Sequence, residues 1–255
     1  MKNVHLSVVS HNNEELIIDN FFKLPRIYGG FKLNIYVIDN LGSTQFKSLC
    51  KQNDVNYYSD METRGYGGNN NKNYEIISPD SEDIFIVCNP DVTIQPDQFE
   101  ELLTTFENSN ADIFGVKVYE SIDLSTFSSH NRKYPALLDP LVSLLFKVKL
   151  FALDPNIIAY PDWIGGAFMI FKSESYRKLE GFDESFFMYY EDVDICRRAK
   201  RKYGMKLIYN PGFYIVHEAQ REGRKLFSKH FLMNLKSMIK YFFRYPTLRL
   251  ITIKK

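Results

Sequence analysis

Short runs of apolar, β-branched and aromatic residues alternate with longer polar segments through the first half of the chain. Val4–Ser10 (VHLSVVS), Leu33–Asp39 (LNIYVID), Val55–Tyr58 (VNYY) and Asp83–Cys88 (DIFIVC) read as strands, whereas Glu14–Phe22, Thr44–Gln52 and Asn69–Ile77 tolerate helix. Strands separated by helix-length segments predict βαβ units and a parallel sheet. In an open sheet of that kind, ligands bind beyond the carboxyl ends of the strands. The residues expected there are polar: Ser10-His11-Asn12-Asn13, Asp39-Asn40 and Asn89-Pro90-Asp91.

Between the third strand and its helix lies TRGYGGNNN, Thr63 to Asn71. Its glycines would let backbone approach a ligand, or would serve only a turn. The loop lacks the G-x-G-x-x-G and G-K-[ST] spacings and does not follow the first strand, so a dinucleotide-dependent oxidoreductase fits poorly. From Ser121 to Tyr160 the alternation loosens into an excursion with a short apolar helix, LDPLVSLLFKVKLFAL. WIGGAFMIFKSESYRKLEGF then resumes as strand, Gly-Gly turn, strand and a short helix ending at Gly181.

The chain divides into a main domain, 1–220, and a tail, 221–255. The tail carries ten lysines and arginines against the single acid Glu222. Phe227, Phe231, Leu235, Met238 and Phe242 recur at helical spacing, with Lys225, Lys229, Lys236 and Lys240 roughly opposite. Such a helix packs on the domain, lies on an anionic membrane surface, or joins two copies in a homo-oligomer; the pattern leaves all three open.

Overall charge narrows the field. A formal net charge of +1 gives no whole-molecule reason to bind nucleic acid, so none is expected as a partner. Cys50, Cys88 and Cys196 lack C-x-x-C spacing and are expected as buried thiols in a reducing cytosol. No signal peptide and no membrane-spanning run is expected.

The candidate chemistry is carboxylate chemistry. Asp39 and Asp91 sit at strand ends that a parallel sheet brings to one rim. A third group lies in FFMYYEDVDICRRAKRKYG, Phe186 to Gly204, where acids open a helix that closes on basic residues. Asp192 and Asp194 differ by about 200° around such a helix. They cannot both address one reacting atom, and Asp194 reads as a structural partner of Arg197 or Arg198. For Asp192 the helix dipole favours the anion, whereas the aromatic approach favours desolvation and a raised pKa. Trp163, the sole tryptophan, could offer an aromatic face to a sugar ring or pack in the core.

Taken in order, VVSHNNEE, VIDN, TRGYGGNNN, CNPDV, WIGGAFMIFKSESYRKLEGFDESFFMYYEDVDICRR and HEAQ resemble the inverting, GT-A-fold glycosyltransferases of family 2, most like bacterial rhamnosyltransferases of O-antigen and other surface-polysaccharide assembly. The resemblance spans about Val4 to Gln220. It implies an α/β fold with a Rossmann-like, mixed but mainly parallel central sheet flanked by helices, followed by the amphipathic C-terminal segment.

It also implies roles. Ser10, Asp39, Gly65, Gly67, Asn71, Asn89 and Asp91 would bind the nucleotide-sugar, with Asp39 on the base. Asp91 and His217 would hold a divalent metal, Mg²⁺ or Mn²⁺. Asn89 stands where the family's DXD triplet has its first Asp, and Thr63 departs from a frequent Asn. Asp192 would be the catalytic base, and Trp163, Gly165, Gly166 and Glu191 would face the acceptor. The implied reaction is rhamnosyl transfer from dTDP-β-L-rhamnose to a lipid-diphosphate-linked sugar, such as GlcNAc-diphospho-undecaprenol, at the inner face of the bacterial cytoplasmic membrane. Transfer of galactofuranose or a hexose from a UDP donor, or a non-catalytic nucleotide-sugar or glycan-binding subunit, are the alternatives.

Overall fold

A computed structural model describes residues 1–128, 133–136, 153–218 and 228–246. The expected apolar helix around 138–152 lies outside the described residues, as do the tail positions Arg221, Arg224, Lys225, Phe227, Arg249, Lys254 and Lys255.

The central strand is β1 (Lys2–Ser10), flanked in parallel by β3 (Phe31–Asp39) and β5 (Ile84–Cys88). β4 (Val55–Tyr58) extends the parallel part beyond β3, and β2 (Ile27–Tyr28) forms a short antiparallel pair with β3. On the other side the direction reverses. β9 (Phe168–Lys172) runs antiparallel between β5 and β7 (Ile113–Tyr119), and β10 (Leu207–His217) is parallel to β7. β6 (Val92–Ile94) closes this edge antiparallel to β10, and β8 (Phe127–Ser128) pairs with β7. The longest ladders are parallel, as expected, and the antiparallel ones are short.

Side-chain alternation explains the layers. Ile84, Ile86 and Cys88 of β5 face one core, and Phe85 and Val87 face the other. The first core is covered by α1 (Glu14–Phe21), α2 (Thr44–Gln52) and α4 (Pro96–Asn108), through Ile17, Phe21, Phe46, Phe99 and Phe106. The second is covered partly by α5 (Ser173–Lys178) and α6 (Glu191–Tyr203), through Tyr176, Ile195 and Ala199.

α3 (Tyr66–Ile77) begins earlier than expected and takes Gly67, Gly68 and the asparagines into the helix. Its buried face is polar because the β1 face beneath it is polar. Ser7 Oγ donates to Asn70 Oδ1 at 2.7 Å and accepts from Asn73 Nδ2 at 2.8 Å. Buried polar groups persist when they are mutually satisfied in this way.

α7 (Lys229–Arg244), capped by Ser228 Oγ, packs over α6 through a small cluster containing Phe186, Val193, Tyr241 and Phe242. The buried face matches the expected stripe in part: Phe242 is inside with Met238 packed beside it, joined by Ser237 and Tyr241, whereas Leu235 is exposed together with Leu232, Ile239 and Phe243. The aromatic loop before α6 supplies the inner packing partner, and that partner selects the Tyr241 face.

Candidate active site

Strand register sets out the site. Ser10 is level with Asp39 across β1 and β3, and Val8 with Cys88 across β1 and β5, so the segment Asn89–Asp91 follows at the same edge. Asp39 is buried and heavily engaged. Its Oδ1 accepts from the Leu41 N–H (3.1 Å), and its Oδ2 accepts from Gly42 and Ser43 N–H (3.1 and 2.9 Å) and from Tyr57 Oη (2.8 Å). That leaves acceptor capacity mainly on Oδ1. Beside it, Ser10 Oγ and Asn40 Oδ1 are buried without a hydrogen-bond partner among the described residues. Unpaired buried oxygens at the carboxyl edge are what a polar ligand would satisfy.

The far strands deliver the imidazole. Antiparallel pairing sets His217 of β10 opposite Val92 of β6, next to Asp91. His217 Nε2 lies 3.2 Å from Asp91 Oδ1 and 3.3 Å from Asn89 Nδ2. One ring nitrogen cannot donate to the carboxylate and accept from the amide at once. With the Nε2 lone pair unprotonated, that nitrogen and the carboxylate form a donor set that a divalent cation fits. No cluster of three or more His, Cys, Asp or Glu occurs among the described residues. Such an ion would therefore complete its shell from substrate and water, as Mg²⁺ commonly does.

Backbone contacts link this pair to the acids of α6. Asn89 N–H donates to Ala167 O at 2.9 Å. One residue earlier, Gly166 N–H donates to Asp192 Oδ2 at 2.9 Å, while Asp192 Oδ1 accepts from Val193 N–H at 2.8 Å. A Cβ on Gly166 would come within 3.3 Å of Asp192 Cβ, so the small residue permits this approach. Asp192 stands in the first turn of α6, and burial outweighs its two amide donors: its pKa is raised.

Glu191 is raised too, by burial and then by the charge of Asp192, and its Oε2 is buried without a partner among the described residues. Two amides stabilise the Asp192 anion and nothing comparable holds Glu191. Asp192 therefore ionises before Glu191.

The glycine-rich segment has a structural use. A Cβ on Gly65 would fall 1.9 Å from the Phe187 carbonyl oxygen, and one on Gly67 would fall 2.7 Å from Phe182 Cβ. These glycines admit the protein's own loop before α6. Asn71, expected beneath a nucleotide, is likewise occupied elsewhere. Its Oδ1 accepts from Tyr176 Oη and Phe182 N–H, and its Nδ2 donates to Phe182 O and Glu184 Oε1. With all four positions used, it ties α3 to the segment after α5.

Trp163 is partly buried between the second and third apolar clusters, with Nε1 donating to Lys133 O at 3.2 Å. Gly165 lines a narrow crevice with Val116, Ile164 and Tyr209, on a different set of neighbours from Gly166. Asp194 pairs with Arg198 at 2.8 Å, one of the two expected partners, and also accepts from Arg244 and Tyr245.

Two residues escaped the sequence reading. Tyr66 Oη donates to Gly166 O at 2.8 Å, fastening α3 to the strip that holds Asp192. Asn69 has a buried, unpartnered Oδ1. Only their place in TRGYGGNNN marked them.

The chain is 28% identical over 248 residues to the rhamnosyltransferase WbbL of Escherichia coli K12, covering 94% of this chain and 93% of that one. It is 28% identical over 156 residues to the N-acetylglucosaminyl-diphospho-decaprenol L-rhamnosyltransferase of Mycobacterium tuberculosis, covering 56% of this chain and 50% of that protein. Among solved structures, the mannosyltransferase PcManGT of Pyrobaculum calidifontis, in complex with GDP-Man and Mn²⁺, superposes with a TM-score of 0.62 at 14% identity, over 94% of this chain and 64% of that one. GalNAc-T7 with UDP, GalNAc and Mn²⁺ gives 0.65 at 14% identity, over 95% of this chain and 48% of that one. These neighbours identify the fold as GT-A. The glycosyltransferase-like family 2 profile matches residues 4–219, and the chain is a glycosyltransferase belonging to that family, related to rhamnosyltransferases.

Proposed function

We propose that this protein transfers L-rhamnose from dTDP-β-L-rhamnose, with inversion, to a lipid-diphosphate-linked sugar such as GlcNAc-diphospho-undecaprenol in bacterial surface-polysaccharide assembly. The observation that carries the reading is Asp192. Its carboxylate is oriented by one N–H from the Gly-Gly strip and one from its own helix, and burial raises its basicity. Each oxygen keeps a free lone pair. One of them accepts the proton of the acceptor hydroxyl while that oxygen attacks the anomeric carbon from the face opposite the departing diphosphate.

Asp39, Ser10 and Asn40 hold the nucleotide at the first strands. Asp91 and His217 hold a divalent cation, Mg²⁺ or Mn²⁺, which when bound neutralises the charge developing on the diphosphate. Glu191, protonated beside Asp192, donates a hydrogen bond to an acceptor hydroxyl and adds no second negative charge to the cleft. Similarity to WbbL over nearly the whole chain supports the donor, and the name of the mycobacterial relative supports the acceptor class.

The test is a screen of dTDP-rhamnose against UDP-galactofuranose and UDP-hexoses, with a GlcNAc-diphospho-lipid acceptor, with and without EDTA. Turnover of dTDP-rhamnose alone, lost in EDTA, is expected. Turnover confined to a UDP donor would overturn the donor assignment, and retained activity in EDTA would overturn the metal assignment.

The outer face of α7 serves the same acceptor. Leu232 (56% exposed), Leu235 (37%), Ile239 (46%) and Phe243 (85%) form one apolar stripe, with Lys229 and Lys236 exposed on the same helix. No helix among the described residues is long and apolar enough to cross a membrane. An apolar stripe flanked by lysines suits the interface of an anionic leaflet, which would make the protein peripheral on the inner face of the membrane. Sedimentation with phosphatidylglycerol vesicles should fall in the double variant Leu232→Ser/Phe243→Ser; equal sedimentation would remove the membrane role.

A further inference from the structure

The loop leading into α6 is strained where function needs it fixed. Tyr189 and Tyr190 immediately precede Glu191 and Asp192, and both adopt left-handed backbone, with φ of 68° and 67°. Bulky residues rarely take that conformation, and two in succession persist only when their surroundings hold them. Here the surroundings are supplied by α3 and α7.

On one side α3 grips this loop, with Tyr66 N–H donating to Phe187 O at 3.0 Å and Asn71 holding Phe182; on the other side the grips come from α7. Ser237 Oγ donates to Met188 O at 2.8 Å, the carbonyl just before the strained pair. Lys240 Nζ donates to Ser185 O at 2.8 Å. Tyr189 Oη is 3.2 Å from His230 Nδ1, and the Tyr190 ring packs against Tyr241 at 5.3 Å between centroids. Arg244 spans both ends: it pairs with Asp183 at the start of the loop and, at 3.1 Å, with Asp194 in the first turn of α6. Phe186, fully buried, lies beneath both cations, with Lys240 and Arg244 5.5 and 5.3 Å from its ring.

We propose that α7 is the strap that sets the base, with Ser237, Lys240 and Arg244 acting as positioning residues for Asp192. This rests on the reading of Asp192 as base but names residues outside the matched family segment, which ends at residue 219. The logic is mechanical. The Gly166 N–H fixes one oxygen of Asp192, and the helix that carries Asp192 starts directly from the strained tyrosines. Releasing the carbonyls of Ser185 and Met188 lets the tyrosines relax, which swings the first turn of α6 and admits water to the carboxylate. The outer stripe lies on the same helix as the strap, so a surface that ordered α7 would also order the base.

The test uses the full chain and the variants Ser237→Ala, Arg244→Met and Arg244→Lys. Three measurements are made: hydrogen exchange of residues 183–194, binding of dTDP with Mn²⁺, and transfer kinetics across pH. Exchange in 183–190 should rise in Ser237→Ala and Arg244→Met. Their kcat should fall by about tenfold to a hundredfold, as displaced catalytic groups typically cause, with dTDP affinity changed less than about twofold. The acid limb of the profile should move to lower pH as Asp192 becomes solvated, and Arg244→Lys should recover most of the loss. Folded variants with unchanged exchange, kcat and acid limb would overturn the proposal; Ser237→Ala, the mildest change, guards against loss through misfolding. Raised exchange in a protein whose wild type turns over no donor would instead refute the base assignment and, with it, the catalytic purpose of the strap.

Discussion

Asp39 and Asp192 both stand at the carboxyl edge of the sheet, yet the first accepts four hydrogen bonds and the second two. The donors to Asp39 come from its own loop and from Tyr57, 18 residues away. Asp192 is held by its helix, by Gly166 across the cleft, and indirectly by α7. A carboxylate with its lone pairs largely filled is a fixed point on which a loop is built. One left half free in a partly buried place keeps basicity available to a substrate proton. With Asp39 binding nucleotide and Asp192 acting as base, as proposed, the two regions would divide the labour of binding and of chemistry by how many donors they supply.

The sharpest break in that comparison is Asp192→Asn. It should lower turnover by about 10³-fold, within the usual range for a general base, while dTDP binding survives. Equilibrium binding beside single-turnover kinetics checks it, and a variant that retains turnover would erase the distinction. In the wild type the loss of activity on acidification should set in above the ordinary aspartate range, because the base must be ionised and its pKa is raised.

Asp39→Ala should act on the fold first, costing about 2–3 kcal/mol in chemical denaturation because three backbone N–H groups and a hydroxyl lose their acceptor. Glu191→Gln should have the opposite sign. A folded-state carboxyl pKa raised above the unfolded value means that the native state holds a proton the unfolded chain has released, so stability falls as pH climbs through that window. Removing the carboxyl should stabilise the protein at neutral pH and flatten its pH dependence. The smallest effect should be that of Tyr57→Phe, about 1 kcal/mol for one hydrogen bond, with kcat unchanged.

Legibility in the sequence followed the range of the interactions. β1, β3, β4 and β5 were readable because apolar alternation and turn residues are local signals, and α2 because Thr44–Gln52 tolerates helix between two strand runs; Ser43 caps it through Phe46 N–H. The start of α3 was not: Gly-Gly reads as a loop, and the reason it is helical lies in Phe182, more than a hundred residues on, which leaves no room for a side chain at Gly67. The pairing of Asp91 with His217 depends on an antiparallel β6–β10 contact that no local pattern announces. The amphipathic character of α7 was plain, but which stripe turns inward was decided by the aromatic loop it covers.

That Asp91–His217 pairing has a consequence for biogenesis. Asn89 and His217 are separated by 128 residues, and the imidazole arrives on the last strand of the sheet to be translated. A nascent polypeptide stalled before residue 217 could assemble its early strands on the ribosome, yet it would lack the imidazole beside Asp91. Prematurely terminated products would therefore reach the cell without the nitrogen ligand proposed for cation capture, and without the strap that follows it.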